Sequence, residues 1–309
     1  MDHRWVLVLP ALLITWNPDP LPPEARVAAV KVTDLPAYSE GVVIDHSGTI
    51  FLSIRNPHVV LRLNPGQAPL PWFRLHIPNG HKILSDGTHW VAGDGTLVHV
   101  AADGRLLDSL TSDHLGRSLR RPNDLALDGN GGFYFSDPGT TLDRGTRLGR
   151  VLYMDGRHRI HQVADRLCYP NGLVLRSDGN LLYLSDSCDN RVYTYPVVAP
   201  GRLGLRGVFA TLPDSGKCDL DGMTLDEVGR LFVAHNGCGR IEVLSAEGLL
   251  LRRYSAGNRL ASNVAFGGPG LRHLYITGSP GDKSGPGALY RLELGIKGRS
   301  SRALPEQWR

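Results

Sequence analysis

Six loops along the chain each present one oxygen-bearing side chain at the entry to a short alternating segment. Their spacings are 39, 44, 48, 50 and 42 residues, and the six residues are Glu40, Asn79, Asn123, Asn171, Asp221 and Asn263. Most of them precede a Gly or another small residue. Carboxylate and amide oxygens are the ligands that hard divalent cations prefer. If the fold brings these positions together, they form a cation site.

Each of these loops leads into a repeat of two strands joined by a turn. Residues 171–184 align without a gap on residues 221–234. A strand-based repeat of about 40–50 residues is typical of propeller blades, which point equivalent positions at one central channel. The pattern predicts an all-β, six-bladed β-propeller over residues 25–297 with a central metal site. Residues 25–38 are predicted to form the outer strand of the last blade, next to residues 288–294, and so to close the ring.

The composition agrees with one large β domain. The chain has 309 residues, 41% of them hydrophobic, and its 37 Gly and 21 Pro are scattered as in a protein with many tight turns. No long stretch repeats apolar residues at helical spacing. The net charge is only +4, and the arginines form no stripe with interleaved aromatics. We therefore expect no nucleic-acid partner.

The two ends of the chain differ from the repeats. Residues 5–16 are a dozen mostly apolar residues, too few for a stable membrane span but suited to the core of a secretory signal. We predict a leader or signal-like segment over residues 1–24 and a secreted or periplasmic protein; an uncleaved leader on a cytoplasmic protein is the alternative. The polar residues 298–309 are predicted to form a flexible tail.

Four cysteines flank two consecutive repeats. Cys168 and Cys188 lie three residues before and seventeen after Asn171, and Cys218 and Cys238 have the same offsets around the aspartate of the next repeat. In an antiparallel blade both flanking positions return to one rim, which puts each pair within disulfide reach. Four unpaired thiols or pairing across blades are the alternatives. No Cys or His spacing is typical of a zinc site.

Several repeats also carry recognisable local sequences. These are Glu40-Gly41, residues 121–128 with 132–137, residues 170–173, residues 221–226, and residues 262–268 with 274–277. Taken in order, they resemble the SMP-30/gluconolactonase/LRE-like family, and the resemblance covers roughly residues 38–295. That family consists of six-bladed propellers and includes metal-dependent lactonases. The resemblance therefore implies a hydrolase that opens a lactone or related cyclic ester and takes a small-molecule lactone as its substrate.

The resemblance assigns metal ligands to this chain. They fall on Glu40, Asn171 and Asp221, with Asn123 as a fourth ligand or a contact through water. One divalent cation is implied, calcium first, with zinc, manganese or magnesium as alternatives. Two carboxylates roughly neutralise such an ion while amide oxygens complete its shell. Asp221 is also implied as the catalytic base that takes a proton from the attacking water.

The resemblance and the repeat positions assign the substrate contacts. Arg121 matches a family position that touches substrate oxygens, and Asn123 and His81 are predicted to bind substrate as well. Two functional alternatives remain open at this point. One is a non-catalytic propeller in which the ion stabilises the channel and the rim binds a partner. The other is a different esterase or phosphotriesterase activity on the same scaffold.

Overall fold

The computed structural model describes residues 20–139, 146–213, 216 and 218–300. This part of the chain forms six antiparallel sheets arranged as blades. It contains two short 3-10 helices, η1 (Glu24–Arg26) and η2 (Pro269–Leu271), and no α-helix. None of the helices in the described ranges has the length and apolarity needed to cross a membrane. The first strand, β1 (Val30–Leu35), precedes the first blade in the sequence.

The first three blades each contain four strands in sequence order. Blade one consists of β2 (Ser39–Ile44), β3 (Ile50–Ile54), β4 (Val59–Leu63) and β5 (Leu70–Arg74). Blade two consists of β6 (His81–Ile83), β7 (His89–Gly93), β8 (Thr96–Val100) and β9 (Leu106–Leu110). Blade three consists of β10 (Leu125–Leu127), β11 (Phe133–Asp137), β12 (Gly149–Met154) and β13 (Ile160–Leu167).

The other three blades vary this plan at their outer edges. Blade four consists of β14 (Pro170–Leu175), β15 (Leu181–Asp186), β16 (Arg191–Ala199), β17 (Arg202–Leu203) and β18 (Gly207–Thr211), with β17 and β18 both paired to β16. Blade five consists of β19 (Asp219–Leu225), β20 (Leu231–Asn236), β21 (Arg240–Leu244) and β22 (Leu250–Ser255). Blade six consists of β23 (Leu260–Gly267), β24 (His273–Ser279), β25 (Gly287–Glu293) and β1.

The hydrophobic core is divided among the interfaces between blades. Six clusters of buried side chains each combine residues from two neighbouring blades. Val43 and Phe51 of blade one, for example, pack with Val91 and Val98 of blade two. Inner strands are therefore covered on both faces and are buried along their whole length, as β3 is, whereas the outer strand β5 is largely exposed. This explains the nearly continuous apolar runs of the inner strands.

The ring closes by pairing the N-terminal strand with the last one. β1 lies antiparallel to β25, with Val30 opposite Arg291 and Leu35 opposite Gly287. Leu35 also belongs to the apolar cluster that blade six shares with blade one. The six-bladed all-β prediction and the predicted closure by the N-terminal strand are confirmed.

Residues just outside both predicted boundaries of the propeller domain contact the propeller. Residues 1–19 of the predicted leader and residues 301–309 of the predicted tail lie outside the described residues. Leu21 is buried against blades five and six, and the carbonyl of Pro22 accepts a hydrogen bond from the Tyr254 hydroxyl at 2.7 Å. At the other end, the Gly298 and Arg299 amides donate hydrogen bonds of 2.9 Å to backbone carbonyls. Contacts with the propeller thus begin before residue 25 and continue beyond residue 297.

Candidate functional site

One polar cavity lies where the inner strands converge. It offers about 50 Å³ of free space, enough for a cation and a few water molecules. Its lining includes Glu40, Asn123, Asn171 and Asp221, which come from four different blades, and Arg121. The four predicted ligands are 6–7% exposed. The structure therefore brings together every predicted metal ligand, the predicted base and two of the three predicted substrate contacts, Arg121 and Asn123.

A bulge at the start of the inner strand turns three of these side chains toward the channel. In β2 the pairing register shifts between Ser39 and Val42, the two residues that flank Glu40-Gly41. β14 shifts across Asn171-Gly172 and β19 shifts across Asp221-Gly222. An extra residue in one strand bends it and changes the direction of the local side chains. The bulge thus turns the site residue away from the face that packs against the neighbouring blade.

The glycine of the motif is required by the close approach of neighbouring inner strands. A Cβ on Gly41 would lie 2.3 Å from the Asn79 carbonyl oxygen, and a Cβ on Gly172 would lie 2.5 Å from the Asp221 carbonyl oxygen. Both distances are far below van der Waals contact. Only a residue without a side chain lets consecutive inner strands come this close to the axis.

A serine on the second strand of each of three blades holds the next site residue in place. The Ser53 hydroxyl donates to the carbonyl of Asn79 at 2.6 Å. The same bond runs from Ser136 to the Asn171 carbonyl at 2.6 Å, and from Ser185 to the Asp221 carbonyl at 2.8 Å. These serines were missed in the sequence, although they recur 13 or 14 residues after the site residue of their own blade. They connect the blades directly behind the cavity.

Glu40 and Asp221 are buried carboxylates with little compensation from the protein. The nearest cation to Glu40 is the guanidinium of Arg55, whose Nη1 is 4.0 Å from Oε1. Asp221 Oδ2 accepts one hydrogen bond, from Asn236 Nδ2 at 3.2 Å. Burial raises the pKa of Glu40, and burial together with the nearby charge of Glu40 raises the pKa of Asp221 well above its usual value. In the absence of a further positive charge, the two carboxylates repel each other.

This donor set fits a hard divalent cation. Two carboxylates supply the balancing charge, and the amide side chains of Asn123 and Asn171 supply neutral oxygens at the same depth. A fifth residue of the lining, Asn79, has a buried Oδ1 with no hydrogen-bond partner among the described residues. A buried acceptor without a partner costs free energy. An all-oxygen set of this kind suits calcium or magnesium better than zinc, which prefers nitrogen and sulfur ligands.

Arg121 reaches the cavity from a loop that is anchored by its backbone. Its amide donates to Asp137 Oδ1 at 2.6 Å, and Asp137 is in turn held by Arg150 Nε at 2.8 Å. The Arg121 side chain is 27% exposed, and its Nε lies 3.5 Å from Asp94 Oδ1 without making a hydrogen bond. The backbone is thus fixed while the guanidinium keeps donors for a bound molecule.

The structure does not place His81 in the cavity. Its side chain is 0% exposed, and its Nε2 lies 2.8 Å from His89 Nδ1. The rings of Phe51 and Trp72 surround it. Burial and the nearby His89 lower the pKa of His81, so the ring is neutral. The structure does not support the predicted substrate contact, because the His81 side chain packs between blades one and two and lies outside the cavity lining.

The cavity also contains residues that the sequence analysis did not single out. Four of them, like the predicted contact Arg121, stand two positions before the site residue of their blade: Tyr38, Ile77, Tyr169 and Asp219. That constant offset is a signal that the repeat alignment could have revealed. Arg55 and Lys283 also line the cavity but belong to no repeated position. Asn263, the sixth residue of the repeat, is buried outside this lining.

Comparison with protein families gives a match over residues 38–280 to the SMP-30/gluconolactonase/LRE-like region. The chain belongs to this family. It is 30% identical over 273 residues to the gluconolactonase of Zymomonas mobilis, covering 78% of this chain and 76% of that protein. It is 31% identical over 183 residues to a 6-deoxy-6-sulfogluconolactonase of Pseudomonas putida, covering 59% of this chain and 62% of the relative. These relatives support the predicted class, a hydrolase that acts on lactone esters.

A solved member of the same fold is the calcium-binding protein regucalcin of Agrobacterium tumefaciens. The two chains share 20% identity and superpose with a TM-score of 0.72 over 89% of this chain and 97% of regucalcin. At this identity the likeness establishes the propeller fold alone. It agrees with the blade order described above.

This family member carries two disulfides directly beside the site. Cys168 pairs with Cys188 and Cys218 pairs with Cys238, with Cα–Cα distances of 5.8 and 5.3 Å, so both predicted pairs are confirmed. Each links the loop before an inner strand to the loop after the next strand. Next to the first disulfide, Asn171 Nδ2 donates to the Ser187 hydroxyl at 3.1 Å. The disulfide therefore fixes the rim that supports a predicted ligand.

Proposed function

We propose that the protein is a calcium-dependent hydrolase that opens a sugar-like lactone. The observation that carries this proposal is the pair of buried, weakly compensated carboxylates, Glu40 and Asp221, beside two amide side chains in one cavity. Lactonases among the relatives of the chain support the reaction class. A divalent cation bound by these four side chains would supply a Lewis acid for the ester carbonyl.

Asp221 would then transfer the proton between the attacking water and the leaving ring oxygen. Asp221 lies in the cavity with one carboxylate oxygen held by Asn236, which leaves the other oxygen for a water molecule. The water oxygen attacks the carbonyl carbon while Asp221 takes its proton. Asp221 returns that proton to the ring oxygen as the carbon–oxygen bond breaks, and the open-chain hydroxy acid is formed. Every atom of water is accounted for in the product.

Arg121 would orient the substrate. Its guanidinium faces the cavity from an anchored loop, and a planar cation with several donors can hold ring oxygens in a fixed direction. Asn123 would share this role or act as a ligand. Correct orientation contributes by keeping the carbonyl carbon near the water that Asp221 activates.

The test is hydrolysis of glucono-δ-lactone, aryl esters and phosphotriesters by protein stripped of metal and then reloaded. Release of acid would be followed with a pH indicator, with calcium, magnesium, manganese or zinc added back. We expect lactone turnover that chelator abolishes and calcium restores. Turnover that is indifferent to chelator would refute the metal dependence. The absence of ester or lactone turnover with every metal would favour a non-catalytic propeller.

We also propose that the protein is exported or periplasmic. The support is the pair of disulfides, since such bonds persist mainly in oxidising compartments. Fractionation of expressing cells, combined with thiol labelling before and after reduction, would test this. Recovery in the cytoplasm with four reactive thiols would contradict it.

A further inference from the structure

Three cationic side chains meet at the cavity, and two of them have no role in the proposed chemistry. They are Arg55, Arg121 and Lys283. Arg121 is the expected contact for substrate oxygens, whereas Arg55 and Lys283 stand outside the repeated positions. Cations placed beside a metal site repel the metal, so their presence there needs another explanation.

Arg55 would lose its one ion-pair contact when a cation binds. Its guanidinium lies 4.0 Å from Glu40 Oε1, and no other carboxylate pairs with it among the described residues. A Glu40 that coordinates a cation can no longer serve as an effective counter-charge for Arg55. The guanidinium, 31% exposed, then presents unfilled donors to the cavity.

Lys283 lies on the loop between β24 and β25, in the blade next to that of Arg55, whose amide donates a hydrogen bond to the Tyr38 carbonyl at 3.3 Å. Its ammonium is 5.8 Å from the centre of the Tyr38 ring, and Tyr38 itself lines the cavity. Within the described ranges the ammonium of Lys283 forms no ion pair with a carboxylate. It is therefore a second positive charge at the cavity, and it acts on Glu40 and Asp221 through space.

The formal charge of the lining changes from neutral to positive when the site is filled. Three cationic side chains face three acidic ones, Glu40, Asp219 and Asp221. A divalent cation would leave the cavity with two positive charges in excess, and Asp94 beside Arg121 would offset part of this. A positive, partly buried cavity attracts anionic molecules and strengthens hydrogen bonds to them.

We propose that Arg55 and Lys283 recognise a negatively charged substituent on the lactone, such as a phosphate, sulfate or carboxylate. This inference rests on the proposed function, because it names the substrate class of the same site. The guanidinium would bind two oxygens of the substituent side by side. The ammonium would bind a third oxygen of a phosphate or sulfate, or share one of the two oxygens of a carboxylate. Hydrolysis at the ring carbonyl leaves the substituent unchanged.

A binding experiment tests the anion site without requiring turnover. Calorimetry would compare glucose, glucose 6-phosphate, glucose 6-sulfate and glucuronate on the calcium-loaded protein. We expect the charged sugars to bind about 10- to 100-fold more tightly than glucose, the scale of charge-assisted hydrogen bonds. The preference should weaken as NaCl rises from about 20 to about 500 mM. The three charged sugars show which oxyanion fits best.

Variants test whether Arg55 and Lys283 cause the preference for charged sugars. Arg55→Gln and Lys283→Gln should each lower the charged-to-neutral affinity ratio by about 5-fold or more, and Arg55→Lys should recover part of it. The matched control is Lys297→Gln, whose ammonium pairs with Glu227 outside the lining. It should leave the ratio unchanged. Thermal melting would confirm that each variant is folded.

A kinetic comparison separates this inference from the proposed function. Glucono-δ-lactone and its 6-phosphate differ only in the substituent, and the ratio of their kcat/KM values should favour the phosphate. If glucose 6-phosphate, glucose 6-sulfate and glucuronate all bind no more tightly than glucose, the anion site is refuted whether or not a lactone is opened. If charged sugars bind preferentially but no lactone is hydrolysed, the anion site stands and the lactonase proposal fails.

Discussion

Asp221→Asn should have opposite effects on the metal-free and metal-loaded protein. The substitution keeps the shape and one oxygen but removes a buried negative charge that repels Glu40. An uncompensated buried charge costs several kcal/mol, so the metal-free variant should be more stable than the wild type by about 1–3 kcal/mol. Denaturation in the presence of chelator would measure this gain.

The same substitution should weaken metal binding. Opposite unit charges 4 Å apart attract each other by about 4 kcal/mol at the effective dielectric constant of about 20 that suits protein sites. Asp221 is only 7% exposed, so solvent screens it little. An amide oxygen retains part of the attraction to a divalent ion, and we expect calcium affinity to fall about 10²- to 10³-fold. Titration calorimetry would measure the change.

The effect of Asp221→Asn on catalysis must be measured at a saturating metal concentration. Asp221→Asn should then lower kcat by about 10²-fold or more, because no carboxylate is left to take the proton of water. Glu40→Gln is the matched control, since it removes a charge from the same cavity without touching the base. It should weaken calcium binding to a similar degree while it keeps kcat within about 10-fold. Wild-type turnover by metal-loaded Asp221→Asn, or an equal loss in both variants, would refute Asp221 as the base.

Three further predictions concern the framework around the site. Replacing both cysteines of the Cys168–Cys188 disulfide, which spans 20 residues, should lower the free energy of unfolding by about 3 kcal/mol. In urea denaturation, reductant should then destabilise the variant less than it destabilises the wild type. Burial lowers the pKa of His89 to about 4, so the neutral ring is favoured in the folded protein. The contribution of His89 to stability should therefore be complete above about pH 6.5 and fall by about 3 kcal/mol toward pH 4. In a pH series of denaturation curves, His89→Gln should reduce this loss. Gly172→Ala would push a Cβ to within 2.5 Å of a backbone carbonyl, so it should lower calcium affinity at least 10-fold, whereas Gly281→Ala, with open space around it, should bind calcium as the wild type does.

The repeat made much of this molecule predictable from its sequence. The spacing of the repeat predicted that Glu40, Asn171 and Asp221 converge, and the family resemblance assigned them as metal ligands; the structure brings all three into one cavity. His81 was misplaced because its position in the repeat, two residues after Asn79, does not show that its side chain packs between blades one and two. Arg55 and Lys283 could not be found in this way, since they lie after or between strands at positions that do not recur. Their placement depends on loop geometry and on contacts formed only in the folded ring.

The pairing of β1 with β25 also determines when the site can exist during synthesis. The strands that meet there are separated by almost the whole chain, with Val30 opposite Arg291. A ribosome releases the first strand long before its partner, so β1 must wait unpaired until the sixth blade has been made. The four predicted ligands come from four blades, and an incomplete ring would not hold them at their final separations. A partial chain should therefore capture no cation at this position, and the protein would acquire its site only at the last step of folding.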